Sequence, residues 1–393
     1  MGLQQCLARI DERDASVRGW AYLDRTATGG PGPMAGVVLG VKDVIDVAGM
    51  PTTHGSAIFA ENIASHDAEA VKRLRSAGAI VLGKTVTAEF ATYFPGPTVN
   101  PRKPGHTPGG SSSGSAAVVA DGQADIALGT QTAGSMIRPA SFCGAIAFKP
   151  TFGRYPLQGV LETSSSLDTL GVFARNLELL DAADAVLSGE FDKRESRGDL
   201  RIGICRMPAW PAADVEMKNA LFEFSEALNI AGFKTCEIEL PQCFEGLNEA
   251  QAIIHRYEAA RALGHIRRNN PEQISEVFRN MIDAGSADSE ETYQACLSLQ
   301  KKCQAAISEV FSAADVLLAP AAPGCAPEGL ESTGDPAFQR IWTAIGAPCL
   351  CFPAAWRADG LPLGLQLIAV PGQDRQMLAD AKLIIAHAAL RET

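Results

Sequence analysis

Apolar residues along this chain fall into runs of strand length separated by helix-period segments. Gly36-Val37-Val38-Leu39-Gly40-Val41 is a continuous apolar run that stops at Lys42, and Ile80-Val81-Leu82-Gly83 is another. Continuous runs, as opposed to alternating ones, suit strands buried on both faces. Between them, residues 67–77 read as a helix with Val71 and Leu74 on its apolar side and Asp67 as the expected cap. Leu200 to Ile204 reads as a further strand, and 212–231 as a helix with Leu221, Phe224 and Leu228 on one face. Residues 245–312 are almost wholly helix-forming and poor in glycine, the expected place for a substrate-facing cap; Leu378, Ala381 and Ile385 mark a final helix. This alternation predicts an α/β fold with a sheet covered by helices on both faces. The charged stretch Gly189 to Gly198 reads as a surface crossing. Length alone suggests two or three domains, and this stretch separates a half at 1–190 from a helical region plus closing strands at 191–393.

One stretch resists a purely structural reading. Gly109-Gly110-Ser111-Ser112-Ser113-Gly114-Ser115 and Gly129-Thr130-Gln131-Thr132-Ala133-Gly134-Ser135 flank core-grade sequence, Ala116 to Ala120 and Ile126 to Leu128. A flexible linker would not enclose such apolar segments. Small residues pressed into a core allow close backbone approach, and serines held there are candidate nucleophiles beside candidate oxyanion donors. The histidines (His54, His66, His106, His255, His265, His387) offer no evident partner: His255, His265 and His387 lie in helical stretches and His66 at an expected helix start. No Gly-x-Ser-x-Gly elbow is present. Lys42, at the end of a buried strand, is the alternative base. Desolvation disfavours a charged lysine, and a neutral one can activate a serine; a surface lysine capping the strand is the competing reading.

Lys42-Asp43 with Asp46-Val47-Ala48-Gly49 and Thr52-Thr53-His54-Gly55-Ser56, the two Gly/Ser blocks, Phe148-Lys149-Pro150-Thr151 with Gly153, Ser166 to Arg175, and the closing segments Ala314 to Pro320, Gly346-Ala347-Pro348 and Gly360 to Gln366 together resemble the amidase signature family. The likeness runs from about residue 35 to the C-terminus and implies a single α/β domain over 1–393 built on one large mixed sheet covered by helices on both faces. It implies a Ser-Ser-Lys triad: Ser135 as nucleophile, Ser111, after a cis peptide, as the bridging serine, and Lys42 as base. It also implies an oxyanion hole from backbone N–H groups around Thr132, Ala133, Gly134 and Ser135, and hydrolysis of an amide through an acyl-enzyme. Two departures stand out. Ala133 replaces the family's usual first glycine, which could narrow the oxyanion loop. Arg138 lies three residues past Ser135, where the wider family places arginine two past; this resembles a smaller malonamidase-like bacterial subgroup acting on small acidic amides. Arg138 is thus a candidate to bind a substrate carboxylate, the alternative being a structural ion pair with an aspartate such as Asp168; Pro139 directly after it is expected to bias Arg138 away from helix.

Composition narrows the partners. With 34 Lys and Arg against 45 Asp and Glu, the net charge of −11 weighs against nucleic acid or an anionic membrane. No apolar run reaches membrane-spanning length, and the first six residues hold no signal-peptide core. The ten cysteines lack Cys-x-x-Cys spacing. Cys349 and Cys351 are expected on opposite sides of a strand, unable to chelate together. All ten read as reduced residues of a cytoplasmic protein with no metal and no cofactor. A stand-alone hydrolase of a small linear amide, carboxylate-bearing or urea-derived, is the leading expectation, with a homodimer left open. An amidotransferase glutaminase-type subunit with a partner chain is the alternative, and a catalytically silent binding protein on the same fold the third.

Overall fold

The computed structural model describes residues 2–389, and among these an eleven-stranded sheet runs through the whole chain. The strands are β1 (Trp20–Leu23), β2 (Val38–Lys42), β3 (Ile80–Thr85), β4 (Ile126–Gln131), β5 (Ile146–Lys149), β6 (Thr169–Ala174), β7 (Arg201–Cys205), β8 (Lys234–Ile238), β9 (Val316–Pro320), β10 (Cys349–Trp356) and β11 (Pro362–Ile368). Their spatial order is β1-β3-β2-β4-β6-β5-β10-β11-β9-β7-β8. Two parallel groups, β3-β2-β4 and β9-β7-β8, flank a central antiparallel set. The β5–β10 ladder joins the two sequence halves, so the charged stretch 189–198 divides no sheet.

The helices are α1 (Leu3–Val17), α2 (Glu69–Ser76), α3 (Ser113–Ala120), α4 (Ile137–Cys143), α5 (Leu177–Ser188), α6 (Val215–Ile230), α7 (Leu247–Asn269), α8 (Glu276–Ala287), α9 (Glu290–Val310), α10 (Ala337–Ala344) and α11 (Asp374–Ala389). β2, β3, β4, β6, β9 and β11 are buried at every position, as strands covered on both faces must be. Leu221, Phe224 and Leu228 face the core from α6 as their spacing predicts. A satellite cluster packs α7 and α8 onto the segment after β3, with the Phe90 and Phe278 rings 4.7 Å apart. No helix among the described residues is long and apolar enough to cross a membrane.

Three local expectations are overturned. Asp67 does not cap α2, whose cap position is Ala68; its carboxylate accepts the Ala48 N–H and pairs with Arg75 instead. Cys349 and Cys351 stand two apart in β10 and therefore share a face, because side chains alternate with period two. Pro139 does not keep Arg138 out of a helix. It occupies the first turn of α4, where a missing N–H costs nothing, and Arg138 precedes it within that turn. The side chain of His387 lies outside the described residues.

Candidate active site

The buried ends of β2 and β4 put Lys42 beside the Gly/Ser stretch. Lys42 is 0 % exposed. Its Nζ donates to Ser111 Oγ at 2.7 Å and to Thr130 Oγ1 at 2.8 Å. No carboxylate makes ion-pair contact with it among the described residues. Burial pushes its pKa from 10.5 down to about 7, opposed by the more distant charge of Asp168. The surface reading of Lys42 is thereby excluded, and the Gly110–Ser111 peptide is cis.

The neighbouring serines are engaged otherwise. Ser112 Oγ donates to Thr130 O at 3.1 Å, Ser113 Oγ to Val86 O at 3.4 Å and Ser115 Oγ to Leu128 O at 2.9 Å. They fasten the start of α3 to β3 and β4. Gly114 is needed there, since a Cβ would lie 2.3 Å from Gly19 O and 2.4 Å from Val86 N. Ser111 alone of the four faces the lysine.

The Thr132–Ser135 loop follows β4, and each of its carbonyls is held by a protein donor. Gln251 Nε2 donates to Thr132 O at 2.8 Å, Thr343 Oγ1 to Ala133 O at 2.8 Å, Arg138 N to Gly134 O at 3.1 Å and Ser112 N to Ser135 O at 3.2 Å. Gln131 Oε1 accepts from Met136 N at 2.9 Å and Ile137 N at 3.1 Å, tying the strand end to the start of α4. Among the described residues the N–H groups of Ala133, Gly134 and Ser135 donate to no protein acceptor. A peptide segment with its carbonyls tied back and its N–H groups open is a preorganised anion cradle. Ala133 has no positive φ, so its methyl is accommodated. Gly134 cannot be replaced so freely, because a Cβ would lie 2.5 Å from Gln339 Oε1 and 3.0 Å from Arg138 Nη1.

Ser135 is nearly buried, and its hydroxyl hydrogen-bonds to no protein atom among the described residues. The Lys42–Ser111 link is therefore closed and the Ser111–Ser135 link open; such links in unliganded sites commonly tighten only with substrate. Asp168 does not pair with Arg138. It is buried and accepts from Thr132 Oγ1 at 2.5 Å, Thr163 N at 2.7 Å, Thr163 Oγ1 at 2.8 Å and Ser164 N at 2.9 Å. Burial raises its pKa, opposed by these hydrogen bonds. Arg138, 2 % exposed, donates from Nε to Thr333 O at 2.7 Å and from Nη2 to Gly110 O at 2.7 Å and Thr333 Oγ1 at 3.2 Å. Its Nη1 is buried without a partner. Burial pushes its pKa down to about 10; Tyr93 opposes the fall, Arg340 adds to it and Asp335 opposes it.

Several residues of this site escape motif reading. Thr130 lies inside the second Gly/Ser block but gives no sign of its lysine. Gln251, His255 and Glu258 on α7 are all buried, and Glu258 accepts from Ser166 Oγ at 2.7 Å and Tyr293 Oη at 2.7 Å. Polar residues at i, i+4 and i+7 of a helix share one side, and that spacing is the signal by which they could have been found. No group of three or more His, Cys, Asp or Glu among the described residues could hold a metal ion.

An α/β sheet carrying a buried lysine–serine pair against an open N–H loop defines an amide- or ester-cleaving class of site. The chain belongs to the Amidase family, whose model matches residues 5–378. It is 31% identical to a glutamyl-tRNA(Gln) amidotransferase subunit of Synechococcus sp. (strain RCC307), covering 89% of this chain and 83% of that one. Its fold matches a crystal structure of an amidase with a TM-score of 0.89 at 30% identity, covering 98% of this chain and 95% of that one. It also matches the native peptide amidase of Stenotrophomonas maltophilia with a TM-score of 0.83 at 25% identity, covering 98% of this chain and 93% of that one.

Proposed function

We propose that this protein hydrolyses a small linear amide to a carboxylic acid and ammonia through a Ser-Ser-Lys relay. One observation carries the reading: a fully buried lysine with no carboxylate partner among the described residues donates to Ser111, beside a loop whose Ala133, Gly134 and Ser135 N–H groups meet no acceptor among them. In this reading neutral Lys42 accepts the Ser111 proton. Ser111 takes the proton of Ser135 as that oxygen attacks the amide carbon. N–H groups of the Thr132–Ser135 loop hold the developing oxyanion, a contribution of about 3–4 kcal/mol per donor. The relay returns the proton to the amide nitrogen, which leaves as ammonia when the intermediate collapses, and water then cleaves the acyl-enzyme. Arg138 and the positive charge around it favour a substrate that carries its own carboxylate, as in the malonamidase-like subgroup. Ten free cysteines support a reducing, cytoplasmic setting.

The test is ammonia release by the purified chain alone, with mass spectrometry of a fluorophosphonate adduct. Label on Ser135 and turnover without a second protein are the expected results; label on Ser111 or Ser115 would refute the assignment. A second reading, a glutaminase-type subunit that needs a partner chain, is supported by the likeness to the Synechococcus amidotransferase. It predicts that the isolated chain releases little ammonia until such a partner is added. A catalytically silent binding protein would take no label at all. Size-exclusion chromatography decides between monomer and homodimer.

A further inference from the structure

The helical second half leaves polar groups without partners next to the Thr132–Ser135 loop. Arg340, on α10, donates from Nη1 to Gln251 Oε1 at 3.0 Å, and Gln251 in turn donates to Thr132 O at 2.8 Å. One side chain thus separates this guanidinium from the loop that carries Ser135. Arg154, Arg201, Arg256 and Arg375 each contact an aspartate. Arg340 makes no ion pair among the described residues, and neither does Arg138. The charge of Arg340 adds to the burial that lowers the pKa of Arg138 and of His255. His255 is 3 % exposed, and both its ring nitrogens lack a partner. Its ring centroid lies 6.1 Å from that of Tyr93.

We propose that Arg340 receives a carboxylate of the substrate, with His255 beside it, while Arg138 supports that negative charge from behind Gly134. The proposal rests on the hydrolase reading and deepens it. Two guanidiniums that make no ion pair among the described residues lie against the same loop, Arg340 through Gln251 and Arg138 beside Gly134, and that arrangement suits a bound anion. Arg340 is half-buried and so reachable, whereas Arg138 is enclosed and tied to Gly110 and Thr333. A planar fork with free donors suits a carboxylate. Burial, with Arg340 adding to it, pushes the His255 pKa down to about 3, so the ring is neutral and offers one donor and one acceptor. The substrate class that fits is the monoamide of a short dicarboxylic acid, its amide carbonyl on the loop N–H groups and its carboxylate on Arg340.

The experiment uses the Ser135→Ala protein, titrated calorimetrically with malonate, succinate and glutarate. At least one should bind, and adding Arg340→Gln should weaken that binding by at least about tenfold. In protein with Ser135 intact, kcat/KM for the matching monoamide should fall at least about tenfold more than for the amide in which a methyl ketone replaces the carboxylate. Arg340→Lys, which keeps charge and bulk, serves where the glutamine variant fails to fold; it should lose part of the affinity. Equal dicarboxylate affinity with and without Arg340, or no dicarboxylate binding at all, overturns the proposal. Fluorophosphonate labelling of Ser135 in the native protein reports on the hydrolase reading separately. Labelling without dicarboxylate binding sinks only the Arg340 assignment, and absence of labelling sinks the reading beneath it.

Discussion

Two lysines at adjacent strand ends share burial and differ in everything that follows from their partners. Lys42 ends β2 and Lys84 lies in β3, both 0 % exposed. In the parallel register Val41 sits opposite Lys84 and Lys42 opposite Thr85, so the two side chains leave the sheet on opposite faces. Lys84 Nζ reaches Asp43 Oδ1 at 2.9 Å, Pro51 O at 2.9 Å and Thr52 Oγ1 at 2.8 Å. Asp43 also holds Thr53, and its carbonyl accepts the His54 N–H. This pair fixes the turn that follows Lys42. Burial lowers the Lys84 pKa too, but Asp43 opposes it from contact distance. Among the described residues Lys42 Nζ bonds only to hydroxyls. One lysine is thus a charged clasp and the other an amine free to lose its proton. In the proposed relay it is desolvation with no carboxylate in contact, and not desolvation alone, that lets Lys42 serve as the base.

The sharpest way to break this comparison is to remove each lysine's function by a different substitution. Lys42→Arg retains charge but cannot deprotonate, so kcat/KM should fall about 100-fold to 10,000-fold. Ser135→Ala should fall at least as far. Ammonia release by Lys42→Arg within a few-fold of the native rate would remove Lys42 from the base role.

Stability separates the two residues next. Lys84→Met strands the buried Asp43 carboxylate and should cost about 3–5 kcal/mol in urea unfolding. Lys42→Met strands only two hydroxyl acceptors and should cost less, about 1–3 kcal/mol. The Lys42 cost should also depend on pH. Its folded pKa, about 7, lies below the ordinary 10.5, so between those values the unfolded chain binds the extra proton. Native stability therefore rises with pH across that window relative to Lys42→Met. Equal losses in both variants at every pH would erase the distinction between clasp and base.

Much of this was legible in the residues themselves. The apolar run ending at Lys42 places a lysine at a buried strand end, and the paired Gly/Ser blocks mark where backbone must pack closely. Helix periodicity located α6 and the core face of α2. The losses were of another kind. Asp67 satisfies the composition of a cap, yet Arg75 and the Ala48 N–H compete for its carboxylate from outside the local window. The clasp of Lys84 and Asp43 joins residues 41 apart, and Arg340 meets Gln251 across 89. Such pairings are set by sheet order and helix docking, which no local pattern encodes. The resemblance carried Arg138 forward, but only the fold shows that its Nε and Nη2 bind Thr333 and Gly110.

The smallest predicted effect tests the lysine's surroundings directly. Thr130 Oγ1 accepts from Lys42 Nζ at 2.8 Å, a weak counterpart of what Asp43 does for Lys84. An acceptor at that distance favours the ammonium over the amine. Thr130→Val keeps the shape and removes the acceptor, so the charged form loses about 1 kcal/mol of support. That corresponds to a fall of somewhat less than about one pKa unit. In the native protein kcat/KM should rise with pH through a midpoint about 7, as Lys42 gives up its proton. In Thr130→Val the rising limb should move to lower pH, making the variant relatively more active at pH ~6 than at pH ~8. A shift to higher pH would mean that Thr130 acts chiefly as a donor to the neutral amine. An unmoved limb would assign the titration to a group other than Lys42.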